Sequence, residues 1–498
     1  MISSDRGRSL GIAAAIALGL LAAAWNAHAD DEGARFCVVP IKDGVATIAD
    51  ANQAWRITRN PFRIPGLPSL VFTPVNRRGQ WTVGASRRLV PYVGSFPHSI
   101  IDRNHWVREP WSSRIVAFTY DVPPRGGGVS TLMPGTGFEK IADGVFDDIA
   151  VLPRRKITVV TSSTGTPTIV GDHKLTPWFS REQMDAHDIK GIYSIHDASF
   201  LNATVVVDLD RRVYVLTDND EWYRVGALDK KDYGPLLDGP GSQGDLLAGN
   251  SSALYIRKDS SSGLFRADVL DSVYTYGASF PFRVSSLFGQ VLTYRGWGLF
   301  GYGRGWRRLT DNGFENIPDG NIGLPRPNPY GGSIQDLPTI GRTLIEGQDG
   351  LFLYDGNMLS PIAGAEQKAI GDYPVAYDLP SIGRVVVITE NGFFNLTEKG
   401  SLVAIKTPFP PEKAFMQKIA DWPDAGVALV STRSGLFTLD ADLVAKPIQG
   451  GGAIEVSSPL SPFTGINPST GEMVLTGTHA LFLAVDTSRS HDGACRGP

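Results

Sequence analysis

The sequence predicts an all-β protein built from repeated four-stranded sheets. Short runs rich in β-branched and aromatic residues alternate with turns, and 56 Gly and 34 Pro are scattered among the 498 residues. In the last third, one pattern of strand and turn recurs about every forty-three residues. After the N-terminal segment we expect helix only as a turn or two, within Arg181 to Ile192 and Pro411 to Trp422.

The repeat is defined by three sets of residues that keep the same spacing of 42 and then 43 positions. These sets are Asp336, Asp378 and Asp421; Gly341, Gly383 and Gly426; and Gly350, Gly392 and Gly435. Three independent positions with one spacing indicate a repeated structural unit. Fainter copies upstream, including Ala253 to Val269 with its Gly263-Leu264-Phe265, bring the number of units to about ten.

Each unit is expected to hold four strands. In one unit, Arg384 to Thr389 is β-branched, Glu390-Asn391-Gly392 is a hairpin signal, and Phe393 to Leu396 is the return strand. Ser401 to Ile405 then supplies an outer strand, and an inner strand ends at Asp378. Four short strands in each repeat of about 42–52 residues predict a β-propeller of roughly 7–10 blades.

The ends of the mature chain are expected to meet in the last blade. No convincing outer strand follows Ala480 to Asp486, whereas Phe36 to Ile41 is a spare strand at the start. We therefore expect the N-terminal strand to close one large ring over residues 30–498. Two smaller rings, or extra hairpins among the weakest units, are the alternatives.

The repeats resemble those of the propeller sensor domains of two-component regulators. Gly350-Leu351-Phe352-Leu353-Tyr354-Asp355 and Gly435-Leu436-Phe437-Thr438-Leu439-Asp440 carry the resemblance best, and Gly263 to Asp268 is close to them. The resemblance implies architecture only, because the chain shows neither the membrane helix nor the kinase-like region of those regulators.

The first 29 residues are expected to be a cleaved secretory signal. Arg6 and Arg8 precede an apolar run from Leu10 to Ala24, and Ala27-His28-Ala29 supplies a small-x-small cleavage site. The run is shorter than the about 20 residues that a spanning helix needs, so an uncleaved anchor is the less favoured alternative. We expect a periplasmic or secreted protein that does not insert into a membrane after cleavage.

Composition and motifs exclude several functions. The net charge of −4 and the lack of a lysine or arginine run argue against nucleic acid as a partner. Nucleotide loops, Gly-x-Ser-x-Gly elbows and His-Glu-x-x-His motifs are absent, so no cofactor and no metal ion is predicted.

The two cysteines, Cys37 and Cys495, lie near opposite ends of the mature chain. In an oxidising compartment they are a candidate disulfide, and two unrelated buried thiols are the alternative. A disulfide needs Cα atoms roughly 4.4–6.8 Å apart, so this pairing requires the ends of the chain to meet.

Two groups of residues are candidate binding sites. Trp297, Tyr302 and Trp306 lie near Arg295, and stacked rings with arginines are typical of a sugar or anionic glycan site. The repeated Asp336, Asp378 and Asp421 would line the mouth of a channel and bind a cation or basic ligand there. The alternatives are packing between blades for the aromatic residues and turn capping for the aspartates.

Two further patterns point more weakly to chemistry. His187-Asp188 and His196-Asp197 repeat a metal or acid–base pair without a recognised spacing, which favours turn or surface positions. Asp218 to Glu221 resembles the start of a calcium loop but lacks its glycine and distant glutamate, which favours a solvated hairpin turn.

These observations favour a non-catalytic binding or scaffolding protein for a protein, peptide or glycan. An enzyme that acts on carbohydrate or a related ester, as a hydrolase or lyase at the channel mouth, is the alternative. No catalytic residue is assigned in either case.

The first testable prediction concerns export. Mature protein isolated from the cell envelope should begin at or next to Asp30, because a signal peptidase cleaves after the small-x-small pattern ending at Ala29. N-terminal sequencing checks this prediction. Recovery of folded protein that begins at Met1 would contradict it.

Overall fold

Strands dominate the computed structural model of this protein. It describes residues 35–45, 55–59, 70–74, 80–84, 86–92, 106–119, 127–132, 138–162, 165–228, 237–240, 244–248, 253–259, 262–270, 282–285, 287–295, 305–310, 313–318, 334–347, 350–366, 370, 374–410, 412, 417–453, 462–467, 470–476 and 480–489. The described strands form ten antiparallel sheets of four strands each. The protein is therefore a β-propeller with four-stranded blades, as the repeats predicted.

Sheets 1 to 5 occupy the first half of the chain after β1 (Phe36–Val45), which belongs to the last sheet. Sheet 1 contains β2 (Trp55–Arg59), β3 (Leu70–Pro74), β4 (Gln80–Val83) and β5 (Leu89–Tyr92). Sheet 2 contains β6 (Trp106–Arg108), β7 (Ile115–Thr119), β8 (Gly128–Leu132) and β9 (Phe138–Asp143). Sheet 3 contains β10 (Phe146–Leu152), β11 (Ile157–Ser162), β12 (Pro167–Val170) and β13 (Leu175–Pro177). Sheet 4 contains β14 (Ile192–Ala198), β15 (Ala203–Asp208), β16 (Arg212–Thr217) and β17 (Trp222–Ala227). Sheet 5 contains β18 (Leu237–Pro240), β19 (Gly244–Ala248), β20 (Ala253–Lys258) and β21 (Phe265–Leu270).

Sheets 6 to 10 follow in the same order along the chain. Sheet 6 contains β22 (Phe282–Ser285), β23 (Gln290–Arg295), β24 (Gly305–Thr310) and β25 (Gly313–Asn316). Sheet 7 contains β26 (Ile334–Leu337), β27 (Arg342–Gly347), β28 (Gly350–Tyr354) and β29 (Leu359–Glu366). Sheet 8 contains β30 (Val375–Leu379), β31 (Arg384–Thr389), β32 (Gly392–Leu396) and β33 (Leu402–Ile405). Sheet 9 contains β34 (Lys418–Trp422), β35 (Val427–Thr432), β36 (Gly435–Leu439) and β37 (Ala445–Pro447). Sheet 10 contains β38 (Phe463–Ile466), β39 (Met473–Thr476), β40 (Ala480–Asp486) and β1.

Neighbouring sheets pack face to face through apolar side chains. A strand points alternate side chains to opposite faces, so each sheet contributes to the core on both sides. In sheet 9, for example, Val430 packs toward sheet 8, whereas Leu429 packs toward sheet 10. Buried clusters of this kind join sheets 2 and 3, 3 and 4, 4 and 5, 6 and 7, 7 and 8, 8 and 9, 9 and 10, and 10 and 1.

The repeated glycines occupy backbone positions that other residues rarely adopt. Gly341, Gly383 and Gly426 follow the first strand of sheets 7, 8 and 9 with φ angles of 61°, 63° and 67°. In sheets 7 and 9 a short 3-10 turn, Pro338–Ile340 or Pro423–Ala425, lies between the strand and this glycine. Proline cannot continue a strand ladder, and glycine has no Cβ to oppose a positive φ, so this pair of residues ends the strand and turns the chain.

The two ends of the chain share one sheet. Strand β1 pairs antiparallel with β40, with Phe36 opposite Asp486 and Cys37 opposite Val485. The guanidinium of Arg35 strengthens this pairing, because it donates hydrogen bonds to both carboxylate oxygens of Asp486 at 3.3 and 3.0 Å. The prediction that an N-terminal strand completes the last blade is confirmed, whereas closure of all ten sheets into a single ring stays a prediction.

Two local expectations need correction. Gly263 lies in the turn between the third and fourth strands of sheet 5, whereas Gly350 and Gly435 begin third strands. Trp222 and Trp306 each follow a polar turn, which predicts an outer strand for both; Trp222 does begin a fourth strand, but Trp306 lies in a third strand. Successive hairpins of one sheet look alike in sequence, so the pattern alone does not distinguish a shift by one strand.

The helical segments are only partly as expected. One α-helix, α1 (Arg181–Ala186), lies within the first segment, and Ser180 caps it by accepting a hydrogen bond from the backbone N–H of Gln183. In the second segment, residues 418–422 form strand β34 instead, and residues 411 and 413–416 lie outside the described part. Among the described residues, no helix has the length and apolar character needed to cross a membrane.

The second testable prediction concerns the disulfide. Cys37 is 3% exposed in β1, but Cys495 lies outside the described residues, so the bridge itself stays a prediction. Cys37→Ser should lower the melting temperature, because a bridge across so long a loop restricts the unfolded chain. Cys495→Ser should have the same effect, and the double variant should be no less stable than either single one. Two free thiols per unreduced, denatured chain would contradict the bridge.

Candidate functional site

The three repeated aspartates lie at equivalent positions in sheets 7, 8 and 9. Asp336, Asp378 and Asp421 are each the last but one residue of the first strand, in β26, β30 and β34. Each carboxylate accepts a hydrogen bond from the backbone of the preceding sheet, in the turn that follows its first strand. We call this contact the aspartate tie.

The aspartate tie is most extensive at Asp336. Its Oδ2 accepts from the backbone N–H of Leu287 at 3.0 Å, and its Oδ1 accepts from the hydroxyl of Ser285 at 2.8 Å. The same Oδ1 also accepts from the hydroxyl of Thr343 at 2.6 Å. Ser285 and Thr343 are fully buried, so this carboxylate satisfies two hydroxyl groups that have no access to water.

The other two ties repeat this geometry with fewer bonds. Asp378 Oδ1 accepts from the backbone N–H of Thr339 at 3.2 Å, and Asp421 Oδ1 accepts from that of Ser381 at 3.3 Å. The Ser381 hydroxyl also donates to Asp421. Burial raises the pKa of Asp421, and the nearby negative charge of Asp378 raises it further, while the bonds from Ser381 oppose both effects.

A fourth aspartate, which the sequence marks only as part of the His196-Asp197 pair, lies at the same position. Asp197 is the last but one residue of β14 in sheet 4, and its Oδ1 accepts from Arg154 Nε at 3.1 Å. Arg154 lies in the turn after the first strand of sheet 3, so an arginine here replaces the backbone N–H. The spacing did not reveal it, because the early repeats do not keep the period of the later ones.

These contacts place the aspartates between sheets. The sequence alternatives were the channel mouth, with a cation or basic ligand, and capping of the residue's own turn. The structure shows bonds to the turn of the neighbouring sheet. Binding of a ligand by Asp336, Asp378 or Asp421 stays a prediction.

The aromatic and arginine candidates are only partly described. Trp306 is 4% exposed and packs with Leu292 of sheet 6 and Tyr354 of sheet 7 in one buried cluster. Trp297 and Tyr302 lie outside the described residues, and Arg295 is described as the last residue of β23 without its side chain. The position of Trp306 fits packing between blades, and a glycan site at this cluster stays a prediction.

The acidic turn at Asp218 to Glu221 connects β16 and β17, as expected for a hairpin. Two of its carboxylates pair with arginines of sheet 3: Asp218 Oδ1 lies 2.9 Å from Arg154 Nη1, and Asp220 Oδ1 lies 2.9 Å from Arg155 Nη1. The turn is thus part of the contact between sheets 3 and 4. Among the described residues, no group of three His, Cys, Asp or Glu side chains is arranged to hold a metal ion.

A buried ion pair joins sheets 2 and 3 and had no signal in the sequence. Arg114 donates to Glu109 from Nε at 2.9 Å and from Nη2 at 2.5 Å, and also to the carbonyl oxygen of Val170 in sheet 3 at 2.9 Å. Thr158 of sheet 3 donates to Glu109 at 2.7 Å. Burial raises the pKa of Glu109, but the bonds from Arg114, Ser112 and Thr158 outweigh it and lower the pKa.

The two His-Asp pairs have different surroundings. His187 is the C-cap residue of α1 and stacks on Trp222, with ring centroids 5.5 Å apart, whereas His196 lies within β14. Nε2 of His196 is 3.1 Å from the hydroxyl oxygen of Ser194. Burial lowers the pKa of His196 to about 4, so this imidazole is neutral at physiological pH.

Arg211 differs from the other buried charged groups of sheet 4. It lies in the turn between β15 and β16, is 8% exposed, and its Cζ lies 3.5 Å from the centroid of the Tyr193 ring. Nη1 of Arg211 is buried without a hydrogen-bond partner. The adjacent Arg212 is fully engaged, since it donates to Asp208 from Nε at 2.6 Å and also to Asp188.

Arg211 and Tyr193 are the candidate functional site of the described residues, together with Ser194 and His196. Tyr193, Ser194 and His196 lie on the first strand of sheet 4, and Arg211 covers its beginning. The group offers one cation, one aromatic ring, a hydroxyl and a neutral imidazole. Such a set can orient a polar ligand. The sequence indicated only His196, because nothing in the pattern marks Arg211 as buried.

Comparisons with solved structures find several similar chains. One similar structure is the extracellular domain of a hybrid two component system from B. thetaiotaomicron, with 12% identity and a TM-score of 0.32; the match covers 91% of this chain and 59% of that one. BamB from Moraxella catarrhalis is 10% identical with a TM-score of 0.31, and the match covers 69% of this chain and 92% of BamB. Apo AztD from Citrobacter koseri is 12% identical with a TM-score of 0.30, and the match covers 87% of this chain and 98% of AztD. No family model and no curated protein matches the chain.

These similarities concern architecture. The chain spans about 59% of the length of the extracellular domain of the hybrid two component system. At such identities and TM-scores they carry no argument about a ligand or a reaction.

The third testable prediction concerns the aspartate tie. Asp336→Ala should reduce the free energy of unfolding by roughly 2 kcal/mol, because the buried hydroxyls of Ser285 and Thr343 lose their carboxylate acceptor and keep only the bond to each other. Urea denaturation followed by tryptophan fluorescence measures the change. Asp442→Ala, at an exposed turn position, is the matched control. Equal stability of the two variants would show that the tie is energetically unimportant.

Proposed function

We propose that this protein is an exported, non-catalytic β-propeller that binds a protein, peptide or glycan. Export rests on the signal-like first 29 residues. The binding role is supported by the contacts of the acidic groups, which form hydrogen bonds and ion pairs within the protein. Those groups that the sequence marked for chemistry mostly hold neighbouring sheets together.

The single observation that carries the proposal is the engagement of the repeated aspartates. A general acid or base must reach the substrate, but Asp336 accepts three hydrogen bonds from the protein and Asp421 accepts two from Ser381. Asp197 is likewise paired with Arg154. The packed sheets hold these carboxylates in hydrogen bonds and ion pairs. Such a rigid arrangement is suited to present a binding surface.

The enzyme alternative makes a different prediction at His196. A hydrolase or lyase at the first strands would need an acid–base group, and His196 next to Ser194 is the described imidazole that could serve. Its lowered pKa of about 4 leaves it unprotonated near neutral pH, where it could act as a base but not as an acid.

The fourth testable prediction separates these functions. The mature protein should bind members of a glycan or peptide array while turning over none of a set of chromogenic glycosides, esters and uronate polymers. Binding is measured on the array, and turnover by absorbance. Turnover that His196→Asn abolishes, without loss of folding by circular dichroism, would contradict the proposal and favour the enzyme.

A further inference from the structure

A buried arginine in sheet 4 has no anion to balance its charge among the described residues. Arg211 is 8% exposed, and its Nη1 is buried without a hydrogen-bond partner among the described residues. Each other buried charged side chain described in sheet 4 has a partner, since Asp208 pairs with Arg212. An uncompensated buried charge is costly, so its persistence requires a compensating interaction.

The backbone conformation at Arg211 is one that favours glycine over arginine. Its φ angle is 65°, a left-handed conformation that glycine adopts without strain. Glycine at position 211 would therefore allow the turn from Leu209 to Arg211 to form without strain. Other non-glycine turn residues, such as Arg87 and Lys156, share this conformation, so the buried charge of Arg211 is the feature that needs an explanation.

Tyr193 holds the guanidinium in a defined orientation. The Cζ of Arg211 lies 3.5 Å from the ring centroid, which is within the range of a cation–π contact. The ring occupies the space on one side of the cation, but it neither accepts the N–H groups nor cancels the positive charge. The N–H groups of a guanidinium point outward in its own plane, where an oxyanion binds through two parallel hydrogen bonds.

We propose that Arg211 and Tyr193 form a binding site for an oxyanion carried by the ligand of this protein. The guanidinium donates two hydrogen bonds to a carboxylate or phosphate group, and Tyr193 fixes its position. Ser194 and His196 lie farther along the same strand, β14. The site deepens the proposed binding function and rests on it.

The main alternative is that an acidic group of the chain itself pairs with Arg211. Asp208 and Asp188 bind Arg212, and Asp210 lies 3.4 Å from Lys190 and 3.7 Å from Arg212. The backbone N–H of Leu228 donates to the carbonyl oxygen of Arg211 at 2.9 Å. Asp229 and Asp232 follow Leu228 in the sequence, so an internal carboxylate from this segment is the alternative occupant.

Thermal unfolding of the mature chain in different anions tests the proposal. At constant ionic strength, chloride is replaced by glucuronate, N-acetylglutamate or inorganic phosphate. These probes distinguish a sugar carboxylate, a peptide carboxylate and a phosphate. At least one should raise the melting temperature of the wild type above its value in chloride, because ligand binding stabilises the folded state.

The Arg211→Gly variant should lose this anion-dependent increase. Its melting temperature in chloride should be equal to or about 2 °C above that of the wild type, because glycine removes both the strained φ and the unpaired charge. Arg224→Gln, at an exposed position of β17 in the same sheet, is the matched control and should keep the response. For the best probe, calorimetry should show about a tenfold weaker Kd in Arg211→Lys, which cannot form the two parallel bonds.

Two results would overturn the site. One is a wild type that responds to none of the probes more than Arg211→Gly does. The other is a double variant, Asp229→Asn with Asp232→Asn, that unfolds at a lower temperature in chloride and then gains an anion response, which would identify an internal ion pair.

If array ligands bind Arg211→Gly as well as the wild type, this site is wrong while the proposed binding function stands. Turnover dependent on His196 would instead refute that function.

Discussion

The contact between one sheet and the turn of its neighbour is the constraint on which the stacking of sheets 3 and 4 and of sheets 6 to 9 depends. Four-stranded sheets expose apolar side chains on both faces and are stable only when another sheet covers each face. Apolar packing is not directional, so it does not by itself determine how far one sheet slides along the next. The aspartate tie supplies this direction, because Asp336 must meet the turn at Leu287 for its hydrogen bonds to form.

The chemistry of the tie varies along the chain while its position is kept. In sheets 8 and 9 a carboxylate meets a backbone N–H, whereas between sheets 3 and 4 Asp197 meets the side chain of Arg154. Sheet 10 has Gly465 at the equivalent position, and there the indole N–H of Trp422 donates to the carbonyl oxygen of Gly471 at 2.7 Å. Among the early sheets, sheet 4 retains a polar contact at this place although the regular spacing is lost.

Buried charged groups among the described residues are generally paired with a group of opposite charge. Acidic groups such as Glu109 and Asp208 are buried with a paired arginine, which satisfies their desolvation cost. Arg211 departs from the rule, since it is buried against an aromatic ring and its Nη1 has no acceptor among the described residues. A departure from an otherwise consistent pattern is what a binding site is expected to show.

The sequence by itself determined the repeat, the four strands of each unit and the completion of the last sheet by Phe36 to Ile41. Strand alternation, turn glycines such as Gly341 and strand-ending prolines are local properties, so they can be read without knowledge of neighbours. Only the tertiary structure decided which groups are paired. Asp336 and Leu287 are far apart in the sequence, and Arg211 looks like any charged turn residue until its burial is known, because hydrogen bonding and desolvation depend on contacts between sheets.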